Sequence, residues 1–279
     1  MSRRQKTLLA LRYMVIIFMA FVMLIPPVWM VLSSMKKPVD VHKIPIIWLP
    51  TEINFKNYEA LFTTFEAGRY VWNTIKFTAL NLLGTLVSCS LVAYAMAFLK
   101  GRFKKVVMTL MLSTMMLPGA VTFFPQFILY VKLGMYGTTL PLWLPSFFGN
   151  SFYIILLRQY FLTIPQPIID AARVSGCGHL RMLTKVIIPL AKPVYLMMIL
   201  NTFVACWTDY FTPLIYCLKE SDKTFALLLT YINDSWGNKS TLPAILAGGV
   251  IQMVPTLIVY LISQKNMVKA YAFKTGENS

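Results

Sequence analysis

The chain has 279 residues, 57% of them hydrophobic and 13% charged, with a mean hydropathy of +0.64 and a formal charge of +16. A soluble domain carries about a quarter charged residues, which excludes an ordinary water-exposed globule. The apolar residues fall in long blocks and not in the ten-residue alternation of a membrane barrel, so the expected fold class is all-α, a polytopic helical membrane protein.

Six apolar blocks follow one another at about 13–32, 72–98, 106–131, 142–161, 194–218 and 243–263. Each approaches or exceeds the roughly 18–20 residues that cross a ~30 Å hydrocarbon core, which predicts six transmembrane helices. Arg3, Arg4 and Lys6 precede the first block as they would in a signal peptide. That block is too long for a signal h-region and no A-x-A-like site follows before Lys36, so a retained anchor is expected. Pro118, Gly119 and Pro125 interrupt the third block, and Pro145, Gly149 and Asn150 the fourth.

The positive charge is a topology signal. With both termini cytoplasmic, the inner side holds Arg3, Arg4, Lys6, Arg12, Lys100, Arg102, Lys104, Lys105, Arg158, Arg173, Arg181, Lys185, Lys192, Lys265, Lys269 and Lys274, against Asp170 and Glu277. The outer side holds Lys36, Lys37, Lys43, Lys56, Arg69, Lys132, Lys219, Lys223 and Lys239 among seven carboxylates. Sixteen cations inside to nine outside satisfies the positive-inside rule, with the short Lys100–Lys105 loop as its strongest vote. The excess charge therefore implies no nucleic-acid partner. Lys76, near the outer end of its span, is expected to snorkel.

Cys89, Cys206 and Cys217 lie in apolar blocks and Cys177 in a loop, without zinc-ligand spacing, and His42 and His179 fall on opposite sides. No metal site and no cofactor is expected. The Asn238-Lys239-Ser240 triplet matches a glycosylation sequon and carries no weight by itself.

The stretch 161–193, FLTIPQPIIDAARVSGCGHLRMLTKVIIPLAKP, is the most informative part of the chain. Thr163 and Gln166 have capping-box spacing, and Pro165 and Pro167 suit a first helical turn. Ile164, Ile168, Ala171 or Ala172, and Ser175 recur at helical spacing and predict a short helix with one apolar, small-residue face. Gly176 and Gly178 break it or admit another backbone. A second amphipathic stretch sets Leu180, Leu183 and Ile187 opposite Arg181 and Lys185, and Pro189 and Pro193 end it. An interfacial helix in the headgroups would show the same amphipathicity. A face of small residues buries little in acyl chains and suits the close approach of a protein partner.

This segment resembles the cytoplasmic signature loop of ABC-importer permease subunits, whose pattern is Glu-Ala-Ala, three residues, Gly, nine residues, Ile, any residue, Leu-Pro. Here it reads Asp170-Ala171-Ala172, Gly176, Val186 and Ile188-Pro189, every spacing kept and three residues replaced conservatively. Ser175 stands where the carbohydrate branch usually has Asp. Further likeness to the maltose-type branch of the binding-protein-dependent inner-membrane component family runs along the chain. It includes Pro26-Pro27-Val28-Trp29, Ser34-Met35-Lys36, Leu49-Pro50, Asn57-Tyr58 and Ala93-Tyr94-Ala95, then Trp207-Thr208-Asp209-Tyr210, Pro213-Leu214 and Gln264-Lys265. In the tail only Lys274-Thr275-Gly276 matches.

The resemblance implies one permease domain over 1–279, with its core at about 70–263, in a bacterial cytoplasmic membrane. It implies a coupling loop at 161–193 in which Asp170, Ala171, Ala172, Gly176, Val186, Ile188 and Pro189 dock on a pair of ATP-binding subunits. It also implies a second, different permease chain and an extracytoplasmic solute-binding protein. No G-x-x-x-x-G-K-[ST] phosphate loop and no catalytic pair occurs, so ATP hydrolysis is expected on a separate subunit and not here. Candidate residues of a sugar path are Phe123, Phe124, Gln126, Asn150, Trp207, Asp209 and Tyr210, the aromatic rings suited to stack on sugar faces. Asp209, the acidic residue deepest in a block, reads either as a path or gating residue or as a structural hydrogen-bond partner. An importer for another small solute and an ATP-independent secondary transporter are the alternative functions; the latter class places several ionisable groups at mid-membrane and repeats its halves.

Overall fold

The computed structural model describes residues 3–41, 43–236 and 241–275, with side chains described at 5, 7–41, 43–232 and 241–264. His42, the 238–240 triplet, Gly276 and Glu277 lie outside the described residues, as do the side chains of Arg3, Arg4, Lys6, Asp234, Lys265, Lys269 and Lys274. All regular structure among the described residues is helical. In chain order it comprises α1 (Arg3–Ser34), the short α2 (Pro38–Val41) and α3 (Lys56–Thr63), then α4 (Ala67–Phe98), α5 (Lys104–Met115) and α6 (Gly119–Lys132). The short α7 (Leu140–Trp143) continues as a 3₁₀ turn, Leu144–Phe148, before α8 (Ser151–Phe161). After α9 (Gln166–Val174) come α10 (His179–Arg181), a π-helical turn at Met182–Ile187, α11 (Ile188–Leu190), α12 (Lys192–Trp207), α13 (Phe211–Tyr216), α14 (Phe225–Trp236) and α15 (Leu242–Thr275).

Among the described residues, four stretches are long and apolar enough to cross a membrane: Thr7–Ser34, Ala67–Phe98, Leu140–Phe161 and Leu242–Gln264. Two more are bent pairs, α5 with α6 at 106° and His179–Leu190 with α12 at 85°; counting each as one crossing gives six. The apolar run at 106–131 is therefore not a straight span. Pro118 takes extended backbone (φ −61°, ψ 137°) immediately before α6, as a residue without an N–H does where a helix starts afresh. The block at 194–218 is also divided, since α12 ends at Trp207 and α13 begins at Phe211.

The chain forms two compact units, one built from the part up to Gly68 with Leu228–Val254, the other from Arg69–Leu227 with the part from Pro255. In the first unit, the carbonyls that end α1 find partners in the segment after it. The Asn57 side chain donates to the carbonyls of Ser34 (2.7 Å) and Lys36 (2.9 Å), and the Ser34 and Tyr58 hydroxyls meet at 2.7 Å. Lys36 is only 2% exposed, donates to Ser33 Oγ at 3.1 Å and lies 5.8 Å from the centre of the Trp29 ring. Burial lowers its pKa, partly offset by Asp40. Ser34, Lys36, Asn57 and Tyr58, four of the residues that carried the resemblance in this region, thus form one cluster closing a helix end.

In the second unit α4 is the organising element. One face of this apolar helix carries Thr74, Thr78, Asn81, Thr85 and Ser88, spaced three or four apart, and the first four are buried. Thr74, Asn81 and Ser88 bond groups that broken helices leave open, whereas the buried Thr78 hydroxyl finds no partner among the described residues. Asn81 donates to the Leu142 carbonyl (2.7 Å) and accepts from the Ser146 hydroxyl; Ser88 donates to the Ser146 carbonyl (2.9 Å). Thr74 Oγ1 accepts from the Phe225 N–H at 2.9 Å, and Asn73 donates to the carbonyls of Ser221 (2.7 Å) and Lys223 (3.0 Å). Irregular backbone survives inside a membrane only when protein satisfies it in this way. Gly84 completes the seam: a Cβ there would fall 2.6 Å from the Phe147 ring, so only glycine lets the 3₁₀ turn lie against α4. Lys76, near the start of α4, is exposed, with its ammonium 4.7 Å from the Phe77 ring centre.

Candidate functional site

The 161–193 loop folds as a helix, a left-handed turn and a second helical stretch. Pro165 is extended (φ −56°, ψ 129°) directly before α9, and Pro167 sits in the first turn, where its missing N–H leaves nothing unbonded. The capping-box pair does not form. Thr163 donates back to the Tyr160 carbonyl (2.7 Å), and Gln166 reaches forward to Asp170 (3.1 Å).

α9 ends in a Schellman motif. The Gly176 N–H bonds to the Arg173 carbonyl at 2.9 Å, the Cys177 N–H to the Ala172 carbonyl at 3.1 Å, and Gly176 has φ +77°. No atom lies within 4 Å of where a Gly176 Cβ would stand, so glycine is demanded here by backbone conformation and not by crowding.

The helix is set into the core of the second unit by Ile169, 1% exposed, with Ile164 before it and Ala172 half-buried. This differs from the sequence expectation, in which Ile164 and Ile168 share a face. α9 begins only at Gln166, so helical phase cannot be counted from Ile164, and Ile169 turns inward while Ile168 turns out. The outward strip is Ile168 (40% exposed), Ala171, Val174 (90% exposed) and Ser175, apolar or small throughout. Asp170 is exposed beside it, paired to Arg173 at 3.4 Å, a surface bridge of little energetic weight.

The second stretch is also rephased. Met182, Leu183 and Ile187 are buried at 3% or less, whereas Leu180 is 68% exposed. The wide π turn at Met182–Ile187 stands immediately before Pro189, whose ring must clear the Lys185 carbonyl one ordinary helical turn back. Val186 and Ile188 are half-buried and Pro189 exposed. Ile169, Met182, Leu183 and Ile187 share one apolar cluster with Leu157 and Phe161 of α8, Tyr94 and Met96 of α4, and Tyr195 of α12. The loop is therefore fixed to three of the long elements at once. Two basic side chains add to this seat: Lys104 (3.0 Å) and Arg158 (3.4 Å) both donate to the Met96 carbonyl near the end of α4.

The proposed path residues do not form one surface. Phe123 pairs with Phe124 and with Phe211 of α13, both at 5.4 Å between ring centres, and Phe127 extends this aromatic group to Tyr136 and Tyr216. Phe124 is 70% and Tyr210 48% exposed. Gln126 is exposed and donates to the Tyr130 hydroxyl at 2.7 Å. Trp207 is 5% exposed and stacked on Phe203 at 5.4 Å. The Asn150 side chain accepts the N–H groups of Phe152 and Tyr153 and caps α8, while its backbone N–H bonds to Cys89 Sγ at 3.3 Å. Asp209 is not deep within a span. It lies in the break after α12, where Oδ1 accepts the Thr212 N–H at 3.0 Å and its carbonyl accepts from Thr224 at 3.3 Å. Phe127, Tyr130, Phe211 and Tyr216 join this aromatic group and were not singled out from sequence.

The family model described as binding-protein-dependent transport system inner membrane component matches residues 89–271, which include the whole loop and α4 from Cys89. The lactose transport system permease protein LacG of Rhizobium radiobacter is 24% identical over 258 residues, covering 92% of this chain and 93% of its own. The sn-glycerol-3-phosphate transport system permease protein UgpE of Brucella abortus is 25% identical over 265 residues, with 92% and 93% covered. Among solved structures, a chain of a bacterial ABC transporter involved in the import of the acidic polysaccharide alginate matches with a TM-score of 0.79 and 25% identity, covering 95% of this chain and 98% of that one. The chain belongs to the binding-protein-dependent transport system inner membrane component family and is a multi-pass permease subunit of a bacterial cell-membrane ABC importer, whose ATP hydrolysis resides on a separate subunit.

Proposed function

We propose that the chain forms one half of a translocation path for a carbohydrate and that its 161–193 loop docks on the ATP-binding subunits. The observation carrying the docking reading is the outward strip Ile168, Ala171, Val174 and Ser175 on a helix whose opposite side is anchored by Ile169. An apolar, small-residue strip on a rigid base offers a partner close approach and transmits the partner's motion to α4, α8 and α12 as a unit. Asp170, Ala172, Gly176, Val186, Ile188 and Pro189 shape and hold this element. In this reading the chain is a single permease domain, both termini are cytoplasmic, and the assembly contains two ATP-binding subunits, a different second permease and an extracytoplasmic binding protein.

Carbohydrate as cargo is supported by the lactose permease protein and the alginate importer among the similar proteins. The glycerol-3-phosphate relative favours a second cargo reading, a phosphorylated polyol. Exposed Phe124 and Tyr210 with Gln126 are the side chains offered for stacking and hydrogen bonding to a sugar. The test is purification of the intact transporter through this chain, with ATPase activity assayed against its binding protein loaded with sugars or with glycerol phosphate. Stimulation by a sugar-loaded binding protein, abolished by Val174→Asp with the subunits still assembled, is the expected result. Undiminished coupling in Val174→Asp would remove the docking face, and stimulation by the phosphorylated polyol alone would replace the cargo.

A further inference from the structure

An apolar groove of about 610 Å³ opens between α4 and the stretch from α10 into α12. Val87 and Leu91 form part of one wall and Leu180 part of the other, and these three are 47%, 48% and 68% exposed. The groove lies wholly within the second unit and is bounded on one side by the loop just described.

Four lining side chains carry a polar atom: Ser90, Thr184, Lys192 and Tyr195. Three are already bonded within the chain. Tyr195 donates to Ser90 at 2.7 Å, Ser90 donates to the Leu86 carbonyl, and Thr184 donates to the Leu180 carbonyl at 2.9 Å. Lys192, the first residue of α12, is exposed. The groove thus offers hydrocarbon along its length and one available cation. A neutral sugar would find almost no unbonded polar partner in it, whereas a phospholipid matches both parts: an acyl chain against the apolar walls and an anionic headgroup at the ammonium. Basic pockets between transmembrane helices on the cytoplasmic side select anionic lipids on these grounds.

We infer that this groove is a binding site for an anionic phospholipid, with an acyl chain between α4 and the Leu180–Ile188 stretch and its phosphate at Lys192. The assignment depends on the chain's membrane location and not on its cargo. Because Leu180, Thr184 and Ile188 line the groove, the lipid would bear directly on the second stretch of the loop.

The test uses the intact transporter in detergent, titrated with phosphatidylglycerol or phosphatidylcholine of the same acyl composition and read by native mass spectrometry. Retention of phosphatidylglycerol over phosphatidylcholine is expected, falling about fivefold in Lys192→Gln, the weight of one lysine at a membrane surface. Leu91→Trp, which fills the groove from an already exposed position, is expected to remove the adduct with the subunit composition unchanged. A photoreactive p-benzoylphenylalanine at Val87 is expected to cross-link to lipid. Equal retention of the two lipids, unchanged binding in Lys192→Gln, or a Val87 cross-link to the second permease would overturn the assignment, the last by placing a protein helix in the groove.

Discussion

The Tyr94 hydroxyl lies 2.9 Å from His179 Nδ1, joining the end of α4 to the first residue of the loop's second helical stretch. Their rings meet edge-on at 5.9 Å, and Tyr94 also packs on Phe98 at 5.4 Å. The contact closes the loop onto the same helix that carries the polar seam. Tyr94→Phe keeps the ring contacts and removes the hydrogen bond, at a cost of about 1 kcal/mol. The expected outcome is a small fall in thermal stability of the purified transporter with a larger loss of ATP per solute coupling. A coupling ratio equal to wild type would show that the loop is held by its apolar core alone.

Gly176 gives a prediction that separates conformation from bulk. A non-glycine residue at φ +77° is disfavoured by roughly 1–2 kcal/mol, with asparagine tolerating the left-handed region best. Since space is open there, Gly176→Asn should retain most ATP-driven uptake, Gly176→Ala less and the β-branched Gly176→Val least. If Asn and Val were equally defective, side-chain size against a docked partner would be the cause instead.

Asn81 is the side chain on which the broken fourth span depends. Asn81→Leu leaves the Leu142 carbonyl and the Ser146 hydroxyl without their partner, each omission costing about 1–3 kcal/mol. Loss of folded, membrane-extracted protein is expected, with partial recovery in Asn81→Gln or Asn81→Ser. Normal yield of Asn81→Leu would mean that water reaches this seam.

These cases show how much could be read from residues alone. The apolar blocks, the loop and the helix break at Gly176 were legible because each is a local pattern, while the left-handed turn at that glycine was not. The 106° bend was not: Pro118 marks a break without stating its angle. The seam along α4 was visible only as isolated polar residues in a hydrophobic block. Most of its partners are backbone groups some 60 to 150 residues away, and backbone groups have no signature in sequence. The phase of α9 went astray for a narrower reason, since the helix begins two residues after Ile164. Among the path candidates, Asn150 and Trp207 are occupied by capping and stacking, roles that composition cannot distinguish from ligand contact.

Glu220 supplies a pH dependence. Burial opposes its ionisation, but the bonds from Lys223 and from the Tyr70 hydroxyl (2.6 Å) outweigh it and hold its pKa below the ordinary glutamate value. A carboxylate depressed in the folded state contributes stability above its unfolded pKa of about 4.3, and that contribution is lost as pH falls through the lower folded value. Wild type should therefore exceed Glu220→Gln in melting temperature at pH 7, with the gap shrinking below about pH 4. A gap independent of pH would assign the effect to packing.

Asp209 allows its two readings to be separated by one isosteric change. Its Oδ1 accepts the Thr212 N–H in the first turn of α13, a bond that asparagine can also make and alanine cannot. Asp209→Ala should lose about 1 kcal/mol of stability, as a lost cap does. Asp209→Asn should fold as wild type, because the accepting oxygen is retained. Transport then decides between the readings. If Asp209→Asn carries solute at the wild-type rate, the residue is a structural cap that positions Phe211 at the aromatic group around Phe123. If that variant assembles, melts normally and yet fails to transport, the negative charge itself is needed, and Asp209 belongs to the path.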